Sequence, residues 1–85
     1  MSQATILQKV REIVARKLNV EPGRVQAETR LAEDLGVDSF GALELMFEIE
    51  EAFELKIADD DIEHIRSVND IVQHLATWLA KVPAT

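Results

Sequence analysis

LGVDSFGALELMFEIEEAFEL, residues 35–55, is the stretch on which the fold turns. At about 100° per residue, Ala42, Leu45, Met46, Ile49, Ala52 and Phe53 share one arc of a helix, which predicts that this arc faces a core. Gly36 allows a turn. Asp38 suits the N-cap, where its carboxylate accepts a free N–H of the first turn, and the helix is expected to run to about Phe53. Phe40 and Phe47 point the other way, together with Glu44, Glu48 and Glu51, while Leu43 lies at the boundary. Solitary exposed apolar residues need no explanation. Two phenylalanines one heptad apart on an acidic face form a patch of the kind at which partners dock. The surrounding carboxylates are costly to bury but well placed for arginine and lysine of another protein. The competing expectation is that the preceding loop covers the two rings.

The same period appears on either side. Ile6, Val10, Ile13, Val14 and Leu18 recur at spacings of three and four, and Thr5 with Gln8 fits a capping box at the start of that helix. NVEPGRV, residues 19–25, breaks it, because Pro22 followed by Gly23 is a turn signal. From there to Val37 the chain has only short apolar touches, Val25, Leu31 and Leu35, which reads as a long connection between helices. Loops of more than about 12 residues in small domains are functional or pinned by their own apolar contacts. After the central helix, Asp60 and Glu63 stand at capping-box spacing before a short helix that points Ile62 and Ile65 inward. Ser67 and Asp70 open a last helix carrying Val68, Ile71, Val72, Leu75 and Leu79. No alternating strand pattern, repeat or low-complexity segment occurs. The expected fold is an all-α bundle of three main helices and one short third helix.

With 85 residues the chain suffices for one small domain, 1–85, with a helical core from about 4 to 80. Such a domain is expected to be stable by about 5 kcal/mol. It contains no cysteine, so neither a disulfide nor a thiolate metal site contributes. No run of about 18 apolar residues is present, and the N-terminus lacks the order of a secretory signal. Residues 5–18 faintly resemble an organelle presequence, but Glu12 and the regular helical period favour an ordinary first helix. A cytoplasmic location without membrane insertion is expected. The net charge of −7 is concentrated between Glu33 and Glu63, where twelve carboxylates face one base, Lys56. That field repels nucleic-acid phosphates and anionic lipids and steers association towards basic protein surfaces.

Ser39 is the residue whose chemistry has to be decided. As a hydrolase nucleophile it would need the elbow G-x-S-x-G, and Val37 occupies the first glycine's place although Gly41 fits the second. Neither His64 nor His74 stands in a triad context. Each histidine reads as a surface or core residue rather than a metal ligand. A calcium loop counted from Asp59 would reach Asp70 at its twelfth place but requires glycine where His64 stands, so the acidic run reads as a solvated helix start. Attachment remains. A hydroxyl in the first helical turn lies beside unpaired N–H groups and the positive end of the dipole, where a phosphodiester on its oxygen is stabilised. Without a thiol in the chain, thioester chemistry here would need sulfur from a prosthetic group.

These residues carry a resemblance. LGVDSFGALELMFEIEEAFEL resembles the modification motif and second helix of acyl carrier proteins. The likeness continues through the first amphipathic helix, the long loop and IADDDIEHIRSVNDIVQHL, in order and spacing, from about residue 4 to 80. It implies a four-helix bundle of acyl-carrier type that is not an enzyme. Ser39, with Asp38 beside it, matches the serine that receives 4′-phosphopantetheine from coenzyme A, whose thiol then holds acyl groups as thioesters. Phe40, Leu43, Glu44, Phe47 and Glu51 match the exposed positions through which the family meets its enzymes, and Glu48 shares that face. The implied partners are a phosphopantetheinyl transferase (the holo-carrier synthase) and acyl-activating and acyl-transferring enzymes with basic docking surfaces, with the carrier itself a monomer. Met1 close to the first helix and a short tail after Leu79 fit a discrete carrier. The family most often has leucine, an acid and proline where this chain has Phe40, Gly41 and Ala58. These departures point from general fatty-acid synthesis towards a dedicated acyl or polyketide-type pathway. The alternatives are a peptidyl or aminoacyl carrier and an unmodified helical adaptor that uses only its acidic face.

Overall fold

The computed structural model describes residues 2–81, apart from the side chains of Asp59, Ala80 and Lys81. Three long helices, α1 (Gln3–Leu18), α3 (Ser39–Phe53) and α5 (Val68–Lys81), are joined by two short ones, α2 (Leu31–Leu35) and α4 (Asp59–Glu63). A 3-10 turn at Pro22–Arg24 follows α1. The expected all-α bundle of three main helices is therefore present.

Helix α1 begins earlier than its apolar period suggested. Ser2 is the N-cap, its hydroxyl accepting the Thr5 N–H at 3.2 Å. The Thr5–Gln8 capping box is thus corrected: Ser2 offers the same oxygen three residues upstream, and Gln8 instead donates to Glu12 Oε1 at 3.3 Å. Asn19 ends the helix at φ 56°, a left-handed conformation that asparagine tolerates better than most residues.

The interior is built from all three long helices. Ile6, Val10, Ile13 and Val14 of α1 meet Leu45, Met46 and Ile49 of α3 and Val68, Ile71, Val72 and Leu75 of α5, with α1 packed chiefly on α5. The apolar arc of α3 holds except at its edge, where Ala52 is exposed and Phe53 is half-buried. The connection after α1 is pinned, as its apolar residues implied. Val25, Leu31 and Val37 are buried, and Arg11 Nε donates to the Val25 carbonyl at 2.8 Å. Within that connection lies α2, a helix not expected from the sequence because five residues are too few to display a helical period.

Backbone hydrogen bonds tie this connection to the start of α5. Leu31 N–H donates to the Arg66 carbonyl and Val68 N–H to the Thr29 carbonyl, each at 2.9 Å, forming an isolated antiparallel bridge between Arg30 and Ser67. Ser67 and Asp70 stand at the start of α5, as expected, and the structure shows that they cap it reciprocally. The Asp70 N–H reaches Ser67 Oγ at 3.2 Å, and the Ser67 N–H reaches Asp70 Oδ2 at 3.1 Å. The capping box expected at Asp60 and Glu63 is not formed. Ala58 is the N-cap of α4 and supplies no side-chain oxygen, so α4 is held by the packing of Ile62 and Ile65 against the core. Asp59–Glu63 is helical with His64 as its C-cap, so this run is a short helix rather than a calcium-binding loop.

Candidate functional site

The entry into α3 is fixed in three residues. Gly36 closes α2 at φ 70°, in the left-handed region glycine enters without steric cost, and donates to the Ala32 carbonyl at 3.1 Å. Val37 then drops into the core, only 8% exposed, with its N–H on the Leu31 carbonyl at 2.9 Å. Asp38 follows as the N-cap of α3, its Oδ1 accepting the Gly41 N–H at 2.7 Å and its carbonyl the Ala42 N–H at 2.9 Å. Ser39 is the first residue of α3 and is exposed. The anchor at Val37 and the cap at Asp38 leave little freedom in where Ser39 stands.

Gly41 has a local reason in this geometry. A Cβ there would lie 3.1 Å from Asp38 Oδ1 and 3.4 Å from Val37 Cγ1, closer to the capping oxygen than side chains ordinarily come. Glycine lets the cap and its hydrogen bond be short.

Two shallow clefts open beside Ser39. One, of about 590 Å³, is walled by Ser39, Ala42 and Leu43 of α3 and by Ile62, Glu63 and Ile65 from α4 and the residues after it. The other lies where α2, the start of α3 and the Ile65–Arg66 segment meet, and is edged by Glu33, Asp38 and Arg66. A hydroxyl here is reachable from solvent. The cap has used the N–H of Gly41, and the helix itself makes no use of the N–H groups of Ser39 and Phe40, which lie at the positive end of a 15-residue helix. A phosphodiester on Ser39 therefore suits the site electrostatically, and the four apolar walls of the larger cleft suit an uncharged arm beyond it.

The outward face of α3 is open. Phe40, Leu43 and Phe47 are 69%, 37% and 56% exposed, so the loop before α3 does not cover them. The acids of this face are not equivalent, which sequence alone could not show. Lys17, in the last turn of α1, places its Nζ 3.5 Å from Glu44 Oε2 and 3.9 Å from Glu48 Oε1. Glu51 is exposed and has no ion pair among the described residues. Glu50 accepts the Ile57 N–H at 2.6 Å, bracing the turn from α3 into α4. Past Phe47 the face ends in a third cleft, shared by Glu51, Glu54, Lys56 and Trp78 of α5.

Ser39, Asp38 and the residues Phe40, Leu43, Glu44, Phe47, Glu48 and Glu51 thus lie along one helix, the serine at its head and the acidic, aromatic surface along its outer side. The contact of Lys17 with Glu44 and Glu48 has no signal in the sequence. The charge of Lys17 is visible, but its position depends on how α1 crosses α3. Among the described residues no helix is long and apolar enough to cross a membrane. Compared with known families, residues 8–75 match the model described as "Phosphopantetheine attachment site", which covers more than half of the chain.

Proposed function

Because this chain belongs to the phosphopantetheine attachment site family, whose members are non-catalytic carriers of covalent 4′-phosphopantetheine, we propose that Ser39 bears the group and that its cargo is acyl. The observation that carries the reading is the placement of Ser39, an exposed hydroxyl at the head of a capped helix, beside unused N–H groups and an apolar cleft. The bound group supplies a terminal thiol, on which cargo is held as a thioester. The chain's own residues do the rest. Asp38 fixes the helix start, the first turn of α3 stabilises the phosphodiester, and Ala42, Leu43, Ile62 and Ile65 offer the arm an apolar wall.

The carrier domain needs a phosphopantetheinyl transferase and client enzymes. We place their docking on Phe40, Leu43 and Phe47 with Glu44, Glu48 and Glu51, because an exposed apolar strip bordered by carboxylates complements a basic surface with an apolar centre. Phe40 beside the arm, with Gly41 next to it, favours a specialised acyl or polyketide-type pathway over general fatty-acid synthesis. We read the chain as one carrier domain that works as a cytoplasmic monomer. Acyl cargo is preferred to aminoacyl cargo because four of the six residues walling the cleft, Ala42, Leu43, Ile62 and Ile65, are apolar, although Glu63 and Ser39 complete it.

Proteolysis of the modified protein should place the added mass on the peptide containing Ser39, and mass on another peptide alone overturns the assignment. Offered to acyl-activating and amino-acid-activating enzymes, the modified protein should be acylated. Loading with amino acids only would make it an aminoacyl carrier instead.

A further inference from the structure

Lys17 reaches from the last turn of α1 to two acids of α3, its Nζ 3.5 Å from Glu44 Oε2 and 3.9 Å from Glu48 Oε1. Glu44 and Glu48 stand one helical turn apart, so a single ammonium meets both. All three side chains remain partly exposed. Glu51, on the same face, has no such partner among the described residues.

We infer that Lys17 competes internally with the basic side chains of docking partners for Glu44 and Glu48, and so sets how readily a partner docks on this face. This rests on the reading of α3 as the docking face. An ammonium beside both carboxylates weakens the negative potential that draws a basic protein in, and it occupies the place its base must take. A guanidinium offers a planar fork that engages a carboxylate through two parallel hydrogen bonds, which an ammonium cannot reproduce. A docking partner displaces Lys17, sets apolar side chains against Phe40 and Phe47, and uses Glu51 without displacing anything. The exposure of the Lys17 contacts keeps them weak and exchangeable, as a competitor requires.

The test follows phosphopantetheine transfer from coenzyme A by a phosphopantetheinyl transferase, using full-length Lys17→Gln, Lys17→Arg and Glu51→Lys proteins at low and high salt. Lys17→Gln should raise kcat/KM about two- to fivefold at low salt, through KM, and the gain should vanish at high salt. Lys17→Arg, which grips the carboxylates more firmly, should fall below wild type. If Lys17→Gln is no faster than wild type at low salt while Glu51→Lys slows transfer, the face docks partners but Lys17 does not compete, and the inference is overturned. If neither variant alters the rate, the docking face itself is wrong and the inference falls with it. Circular dichroism checks each fold, and Lys17→Met replaces Lys17→Gln if glutamine disturbs α1.

Discussion

Asp38 holds the head of α3 by one short hydrogen bond, from the Gly41 N–H to its Oδ1 at 2.7 Å. Removing an N-cap oxygen costs about 0.5–2 kcal/mol. Asp38→Ala should therefore lower stability to chemical denaturation by that amount, and Asp38→Asn, which keeps an acceptor oxygen, should lose less. Equal losses would mean that the charge rather than the acceptor matters. At this scale much was legible in the sequence. A capping residue, an exposed serine and a glycine turn are local signals, and each residue stands where its neighbours in the chain put it. Gly41 was legible only as an oddity, because its reason is a 3.1 Å approach to Asp38 Oδ1 that exists once the cap has formed. Lys17 could not be placed at all, since its partners are set by the crossing of two helices rather than by its own surroundings in the chain.

Between elements, the turn after α3 depends on Glu50. Its carboxylate accepts the part-buried Ile57 N–H at 2.6 Å, and Leu55 and Ile57 are buried on either side of Lys56. A part-buried N–H left without its charged acceptor costs about 1–3 kcal/mol. Glu50→Ala should show that loss in chemical denaturation, whereas Glu50→Gln should retain much of the stability. A neutral Glu50→Ala would mean that water replaces the carboxylate freely. The long helices were legible because three or more turns repeat their period. Both short helices are harder to read, α2 in its existence and α4 in its cap, because five residues make barely one turn and their positions are decided by Leu31, Ile62 and Ile65 meeting the core. The bridge between Arg30 and Ser67 joins segments far apart in sequence and left no local trace.

Across the whole molecule, a net charge of −7 is gathered mostly on one side of the sequence's middle. Self-repulsion of that kind is screened by salt. The melting temperature should rise from low to moderate ionic strength, and an unchanged value would show that the repulsion is insignificant. Acid acts in the other direction at Asp34. The Arg30 backbone N–H, 2.8 Å from Asp34 Oδ2, holds this carboxylate below its ordinary 3.8, with the Arg30 guanidinium assisting against partial desolvation. A depressed folded value means that the contribution is present above the unfolded value and fades as pH falls from 3.8 downwards. The stability difference between wild type and Asp34→Ala should therefore shrink over that range, and a constant difference would contradict it. On the proposed function, the bundle presents the Ser39 hydroxyl for modification and the outer face of α3 for recognition. Modification at Ser39 is tested most directly by intact-mass measurement after incubation with coenzyme A and each of several phosphopantetheinyl transferases. Wild type should gain the mass of one phosphopantetheine and Ser39→Ala none. No gain in wild type with any transferase, or an undiminished gain in Ser39→Ala, would contradict it.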